Sequence, residues 1–447
     1  MARFVQADRS QPFLLPPDIR EWVPEDDLAH FLVEAVERVN LGAFKVNQRG
    51  TGSAQYPPRM MLALLVYCYA NGIFSSRKIE RATYFDVRVR FVSANTHPDH
   101  DTIAAFRREN ETAFAEAFLT VLELAKELKV LKIGTISVDG TKINANANIH
   151  KSIRYDRAVE LREQLKLEIA ELLAKAKSAD AGGPSDVEAL PSEIARRKDL
   201  HAKLDAACGR LEAAARARAA AERAEYEKRQ QDHDDRGGSG RPPAPPSEAP
   251  RPEEQTNLTD PESRIMRKNK RSEYRQAYNA QAAVDADGSQ LILSNNVSQN
   301  ASDANELLPI VNAMEKTIGK PDRVLADTGY ANGEAVAELQ ARNIEPLIAT
   351  KGTAARRKHD FRPVPPQKPE KTPKSEWIIK MQAKMAEAAS RVHYARRKCT
   401  VEPVFGIVKQ AMGFRQFLLR GIEKVRIEFN LVALAYNCRR LHTLTRA

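Results

Sequence analysis

Cysteine is scarce. The chain carries four, Cys68, Cys208, Cys399 and Cys438, far apart in 447 residues and with no C-x-x-C pair. That spacing argues against a disulfide framework or a cysteine-based zinc site and fits a reducing cytoplasm. Long apolar runs are missing too. The longest, MMLALLVYCYA from Met60, is too short to cross a bilayer and reads as a core helix. The opening MARFVQADRSQPF has no apolar stretch of the signal-peptide kind, so no secretion signal is expected. Aromatic residues make up 6%, and neither Trp22 nor Trp377 has an informative context. An acidic excess is also lacking: 70 Lys and Arg stand against 59 Asp and Glu, a net charge of +11. The pI near 9.4 favours a polyanionic partner. With no membrane anchor in view, nucleic acid is the preferred one.

The 42% hydrophobic content supports a real core, and 29% charge with a mean hydropathy of −0.50 implies extended polar segments. The length suggests about three domains, or one large domain with insertions. Residues 1–128 read as a helical domain, with apolar positions at helical spacing in DDLAHFLVEAVERV, PPRMMLALLVYCYANGIF and ENETAFAEAFLTVLELAKEL. Between the last two, a pair of short helical patterns carries Arg77, Lys78, Arg81, Arg107 and Arg108. The pair fits a helix-turn-helix-like DNA reader, and equally the solvated face of a helical bundle. Asp101 is the expected cap of its second helix.

Residues 129–150 contain an alternating strand that ends at Asp139. Residues 151–232 turn Ala-, Glu-, Lys- and Arg-rich; Leu161, Leu165, Ile169 and Leu172 mark one stripe and Leu200, Leu204 and Leu211 another, with the breaker DAGGPSD between them. That is an inserted antiparallel helical hairpin. Residues 233–256, DHDDRGGSGRPPAPPSEAPRPEEQ, read as a flexible linker. Residues 257–447 then give two strands joined by DADG, a helix from Glu306, the strand RVLAD ending at Asp327, a helix from Glu334 and the strand IEPLIAT. This is a mixed α/β order. If the Asp139 strand joins that sheet, the hairpin and linker are inserted between its first two strands. A basic Pro-containing loop follows over 351–380. The C-terminal helices concentrate positive charge, including Arg415, Arg420 and Lys424.

Asp139 and Asp327 both sit where an apolar strand gives out, and in open α/β sheets ligands bind beyond the carboxyl ends of strands. An Asp at a strand end is also an ordinary turn residue. The third acid is Glu402, in TVEPVFGIVKQAM. Because Pro403 belongs in a first turn, that helix is expected to begin near Thr400, with Glu402, Gly406 and Lys409 sharing one face. Three such carboxylates suit phosphoryl transfer on DNA. Two Mg²⁺ ions about 4 Å apart activate the attacking oxygen and stabilise the leaving one. Mg²⁺ takes hard oxygen ligands, and surrounding Arg and Lys hold the DNA backbone.

The stretches SVDGTKINANAN, AYNAQAAVDADGSQLILSNNVS, VLADTGY and YARRKCTVEPVFGIVKQ, in that order, resemble the DDE-class transposases of bacterial insertion sequences. PPRMMLALLVYCYANGIFSSRKIE and HPDHDTIAAFRR resemble their helical N-terminal domain. The resemblance implies an RNase H-like catalytic core, a catalytic and metal-binding triad of Asp139, Asp327 and Glu402, and two Mg²⁺ or Mn²⁺ ions. It also implies cleavage at transposon ends with joining of the freed 3′-hydroxyls to target DNA. The partners would be double-stranded DNA and further copies of the chain, in the bacterial cytoplasm. A related signature of Tyr, Arg, Glu and Lys falls on Tyr394, Arg397, Glu402 and Lys409. Its Arg-to-Glu gap is one residue longer than usual, so Arg396 or Lys398 could stand in for Arg397. Arg77, Lys78, Arg107, Arg108, Arg415, Arg420 and Lys424 are the candidate DNA-phosphate contacts. Asp285 and Asp287 imitate a calcium loop but lack its terminal Glu; they suit a hairpin turn. His97, Asp99, His100 and Asp101 suit a loop better than a metal cluster. The rival readings are a DNA-binding protein without catalysis and a nuclease that cuts without joining.

Overall fold

The computed structural model describes residues 18–46, 54–179, 190–235, 242–267, 271–350 and 375–446. The N-terminal helices are α1 (Leu28–Val36), α2 (Pro58–Ala70), α3 (Ser76–Phe85), α4 (Val87–Val92), α5 (His100–Glu109) and α6 (Glu111–Glu127). Pro58 opens α2 in the first turn, where a missing N–H costs nothing. Every residue from Met61 to Ala70 is buried, as expected for a helix apolar on all sides. At α5 the cap is Asp99, which accepts from the backbone of Asp101 and Thr102; Asp101, the expected cap, lies two residues further in, within the first turn, and is exposed.

Strand β1 (Thr135–Asn144) follows, then β2 (Ser152–Arg154), and the long pair α7 (Tyr155–Ala179) and α8 (Leu190–Asp235). The hairpin is antiparallel, tied across by Tyr155–Glu212, Arg162–Asp205 and Arg197–Glu168. A small core at its root gathers Ala158, Leu165, Leu204 and Cys208. The chain returns along α8 and pairs β3 (Gln255–Asn257) with β2, which closes the excursion at its base. Residues 251–256, expected to be free linker, are therefore held. Glu254 meets Arg218 of α8 at 2.8 Å, and its carbonyl takes the Tyr155 amide. Residues 236–241 of that stretch, and 351–374 of the expected basic loop, lie outside the described residues.

The remaining elements are β4 (Arg264–Met266), β5 (Arg275–Asp285), β6 (Ile292–Ser298), α9 (Leu307–Thr317), β7 (Arg323–Ala326), α10 (Gly333–Ala341), β8 (Glu345–Ile348), α11 (Glu376–Ala386), α12 (Ala388–Ala395), α13 (Arg397–Gly406) and α14 (Ile422–Leu444). The sheet runs β5-β1-β7-β8, with β6 and the short β4 both on β5. β5 is antiparallel to β1 and β6, while β7 and β8 run parallel to β1 and to each other. This mixed α/β sheet is the RNase H-like arrangement, and the hairpin is inserted between its first two strands. Strand β5 is buried along nearly its whole length, and its Ala-rich middle admits helices close by.

Helix α14 joins the two ends of the chain. It packs against α2, α6 and β6, so the N-terminal helices and the sheet share one continuous apolar core. It also caps the outer edge of β6. The Asn437 side chain donates to the Ile292 carbonyl and accepts from the Ile292 amide, both at 2.8 Å, completing ladder bonds that an edge strand leaves open.

Candidate active site

The β1–β7 register aligns Thr135, Ile136 and Ser137 with Arg323, Val324 and Leu325. Two residues further along each parallel strand stand Asp139 and Asp327. Asp327 closes its strand and opens the 3₁₀ turn Thr328–Tyr330, whereas Asp139, expected at a strand end, lies inside β1, which pairs with β5 as far as Asn144. The Gly140 amide donates to Asp139 Oδ1 at 2.9 Å, and the Gly329 amide to Asp327 Oδ1 at 2.7 Å. Glu402 comes from α13, which packs against β1 and β5.

The helix carrying Glu402 differs from the expected one. It begins at Arg397 rather than Thr400, and Pro403 lies inside it. Proline has no N–H, so the Cys399 carbonyl four residues back loses its helical donor. Gln290 Nε2 replaces that donor at 2.7 Å. Past Gly406 the helix widens into a π-helical stretch, Ile407–Ala411, a local form often found near functional sites.

Starting α13 at Arg397 decides which basic residue enters the site. Arg396 ends up on Asp287 at 2.7 Å, and Lys398 is exposed. Arg397, with a side chain only 12% exposed, meets all three carboxylates. Its Nη2 is 3.1 Å from Asp139 Oδ2 and 3.7 Å from Asp327 Oδ2, and its Nη1 is 3.2 Å from Glu402 Oε1. Tyr394 is half-buried beside this cluster; burial pushes its hydroxyl pKa up, Arg397 opposes, and the three carboxylates add to the rise. Lys409 reaches β1 just past Asp139, donating to Thr141 Oγ1 at 2.5 Å and to the Lys142 carbonyl at 2.8 Å.

The cluster has an excess of negative charge, three carboxylates to one guanidinium. Burial is the main reason the Asp139 carboxyl is pushed up to about 6; Arg397 lowers it, and repulsion from Asp327 and Asp303 raises it. Among the described residues no group of three acidic, His or Cys side chains is arranged to hold a metal ion as it stands. The guanidinium occupies the place where the three carboxylates converge. The donor set itself, three hard oxygen ligands around one positive charge, suits a divalent ion such as Mg²⁺.

The candidate DNA contacts separate clearly. Arg77, Lys78, Arg108, Arg415, Arg420 and Lys424 are exposed. Arg107 is not: it is 5% exposed, its Nη1 donates to the Tyr69 hydroxyl at 2.9 Å and to the Phe74 carbonyl at 3.0 Å, and it cannot reach a phosphate. It lies one helical turn from buried Ile103, on the inward face of α5. The hairpin reading of Asp285 holds, since its carboxylate accepts from Ser289 in the turn. His97 lies on Thr83 and Tyr84, and His100 on Glu80.

Asp303, in the loop between β6 and α9, went unseen in the sequence. Its Oδ1 accepts from Asn279 at 2.6 Å, Gln281 at 2.7 Å and Lys142 at 3.4 Å, close beneath Asp139. QNASDANE reads as an ordinary turn, and nothing in it signals a carboxylate facing a strand 160 residues away.

Residues 247–438 match the family model described as Transposase DDE domain, and residues 17–109 match Transposase domain (DUF772). Asp327 and Glu402 fall within the first match; Asp139 lies outside both, and the sheet brings it to them. No curated protein and no solved structure matches the chain. No helix among the described residues is long and apolar enough to cross a membrane. With the RNase H-like sheet and the acids gathered on its β1 and β7 strands and on α13, the two matched segments identify the chain as a DDE-class insertion-sequence transposase.

Proposed function

We propose that this transposase binds the ends of its insertion sequence, cuts the DNA there and joins the freed 3′-hydroxyls to target DNA, with Asp139, Asp327 and Glu402 as its catalytic and metal-binding residues. The observation that carries this reading is their convergence on Arg397 from three distant stretches of chain. When bound, one or two divalent ions, Mg²⁺ or Mn²⁺, supply activation of the attacking oxygen and charge stabilisation on the leaving one. The Asp139, Asp327 and Glu402 carboxylates are the groups to hold them, and Arg397 is the group that gives way.

The chain's own residues prepare the rest. The Gly140 and Gly329 amides orient the first two carboxylates. Arg397 neutralises them while no other cation is present. Lys142, Arg267 and Arg275 line a cleft beside the end of β1, where they suit the phosphates of a DNA strand entering the site. Arg415 and Arg420 flank the continuation of β1, since residues 415–417 bridge to Asn144. Arg77, Lys78, Arg108 and Lys424 extend the basic surface as backbone contacts. Two ends have to be held at once, so self-association on DNA belongs to this reading, as does action in the cytoplasm.

The test is incubation of the protein with Mn²⁺ or Mg²⁺ and DNA carrying the element's own ends. Cleaved and joined products are expected from the wild type and neither from Asp139→Asn, Asp327→Asn or Glu402→Gln. Cleavage without joining would indicate a nuclease, and end binding without cleavage a DNA-binding protein.

A further inference from the structure

Both catalytic aspartates are followed closely by a glycine, and both glycines lie beside the same side chain, Gly140 tightly and Gly329 at ordinary contact distance. A Cβ on Gly140 would lie 2.8 Å from Asp303 Oδ1 and 2.4 Å from Gln281 Nε2. One on Gly329 would lie 3.6 Å from Asp303 Oδ2 and 2.9 Å from Asp327 Oδ1. The two oxygens of Asp303 thus face the two backbone segments whose amides orient Asp139 and Asp327.

The carboxylate is held firmly there. Asn279 and Gln281, on β5, and Lys142, on β1, all direct donors at its Oδ1. The second end of Gln281 accepts from the Tyr330 hydroxyl. Tyr330 is fully buried and belongs to the 3₁₀ turn directly after Asp327. One connected path therefore runs from β1 through Lys142 to Asp303, through Gln281 to Tyr330, and so to the turn that carries Asp327. Hydrogen bonds to a charged acceptor are stronger than neutral ones, and shared networks of this kind act as a unit. Asp303 also adds to the repulsion that raises the Asp139 carboxyl, so the two are electrostatically coupled.

A residue that only anchored the loop before α9 would not need to sit between the catalytic strands. We propose that Asp303 is a fourth carboxylate of the active site, a positioning residue that locks β1 and the 328–330 turn in register and so fixes Asp139 and Asp327 relative to each other. This rests on the transposase reading above.

The test compares wild type, Asp303→Asn, Tyr330→Phe, their double variant and Asp139→Asn. Each is measured for thermal melting, binding to end DNA, single-turnover strand cleavage, and Mn²⁺ affinity by electron paramagnetic resonance of the free ion. Asp303→Asn keeps the shape and removes the charge. Expected is a loss of roughly 10- to 100-fold in cleavage and Mn²⁺ affinity, the usual cost of removing a group that orients a metal ligand. Melting and DNA affinity should be unchanged, and the double variant should be no worse than Asp303→Asn alone. Cleavage and Mn²⁺ affinity both within twofold of wild type would overturn the proposal, as would losses that multiply in the double variant. Should Asp303→Asn fail to fold, Tyr330→Phe decides alone on the same readouts, by loss or by wild-type behaviour. Asp139→Asn separates the two levels: if it cleaves like wild type, the transposase reading fails at its root.

Discussion

Two arginines in this molecule sit largely out of solvent beside carboxylates, and they do opposite things. Arg107 faces a balanced partner set. Tyr69 bridges it to Glu428, donating to Glu428 Oε1 at 3.3 Å, and the other Glu428 oxygen accepts from the Leu418 and Leu419 amides. Glu428 has no solvent exposure at all. One cation and one anion close the account within the fold and weld the N-terminal helices to α14. Arg397 instead meets three carboxylates, two of them 41% and 50% exposed. The first cluster is balanced in charge and closed to solvent. The second carries surplus negative charge open to solvent, which is the electrostatic condition for receiving a cation. Burial of an arginine therefore does not separate structure from function; charge balance and access do.

The contrast breaks most visibly at the carboxylates. Asp139→Asn, Asp327→Asn or Glu402→Gln should each reduce strand cleavage to background in an assay with Mn²⁺ and end DNA while leaving the circular dichroism spectrum intact. Wild-type cleavage in all three would remove the surplus-charge cluster from the chemistry.

At the other cluster, the cost should fall on stability. Arg107→Ala takes away the donor to the Tyr69 hydroxyl and the buried Phe74 carbonyl and the positive charge near Glu428, which keeps its bonds from Tyr69, Leu418 and Leu419; losing such buried partners costs roughly 1–3 kcal/mol. Urea unfolding should register it. A variant that unfolds like wild type and loses only DNA affinity would return Arg107 to the surface contacts.

A third test uses pH on the metal-free protein. The Asp139 carboxyl stands at about 6 in the fold against an ordinary 3.8. A carboxyl raised by folding favours the folded state fully while protonated, below about pH 4, and that advantage is lost as pH rises through 6. At about 1.4 kcal/mol per pH unit the loss is on the order of 3 kcal/mol. In EDTA, Asp139→Asn should therefore melt increasingly above wild type between pH 4 and 7. A constant difference across that range would show that Asp139 is not so strained.

The smallest effects belong to the exposed arginines and lysines. Arg77→Gln and Lys78→Gln should leave stability within about 0.5 kcal/mol. Each should lower the slope of log affinity against log salt by about one if it contacts a phosphate. An unchanged slope, measured by fluorescence anisotropy, would assign them to the plain solvated face of α3.

Much of this was legible in the chain. The strand before Asp327, the hairpin and the core helices are local patterns, and the order of the acidic stretches followed from them; the polar tail TKIN hid that β1 continues past Asp139 to Asn144, because its pairing partner β5 lies far along the chain. The misreadings share one cause. Arg107 and Arg108 look alike in sequence, yet a turn of 100° sends one inward; its spacing of four from Ile103 was the available signal. Pro403 set the helix start three residues late because the donor that replaces its missing N–H, Gln290, lies on another element. The same shift hid why Arg397, and not its neighbours, enters the site. Asp303 gave no signal, because its meaning lies entirely in what surrounds it.

The sequence by itself determined most of the elements, the strand that stops at Asp327, the insertion between the first two strands of the sheet, and the excess of positive charge; it placed the end of β1 at Asp139, five residues short of Asn144. Periodicity and turn chemistry are properties of neighbouring residues, so they can be read locally. Tertiary structure alone decided that Arg397 centres the three carboxylates, that Arg107 is interior, and that Asp303 lies beneath Asp139. Those facts depend on helix phase and strand register, which are fixed only when elements far apart in the chain bury their faces against one another.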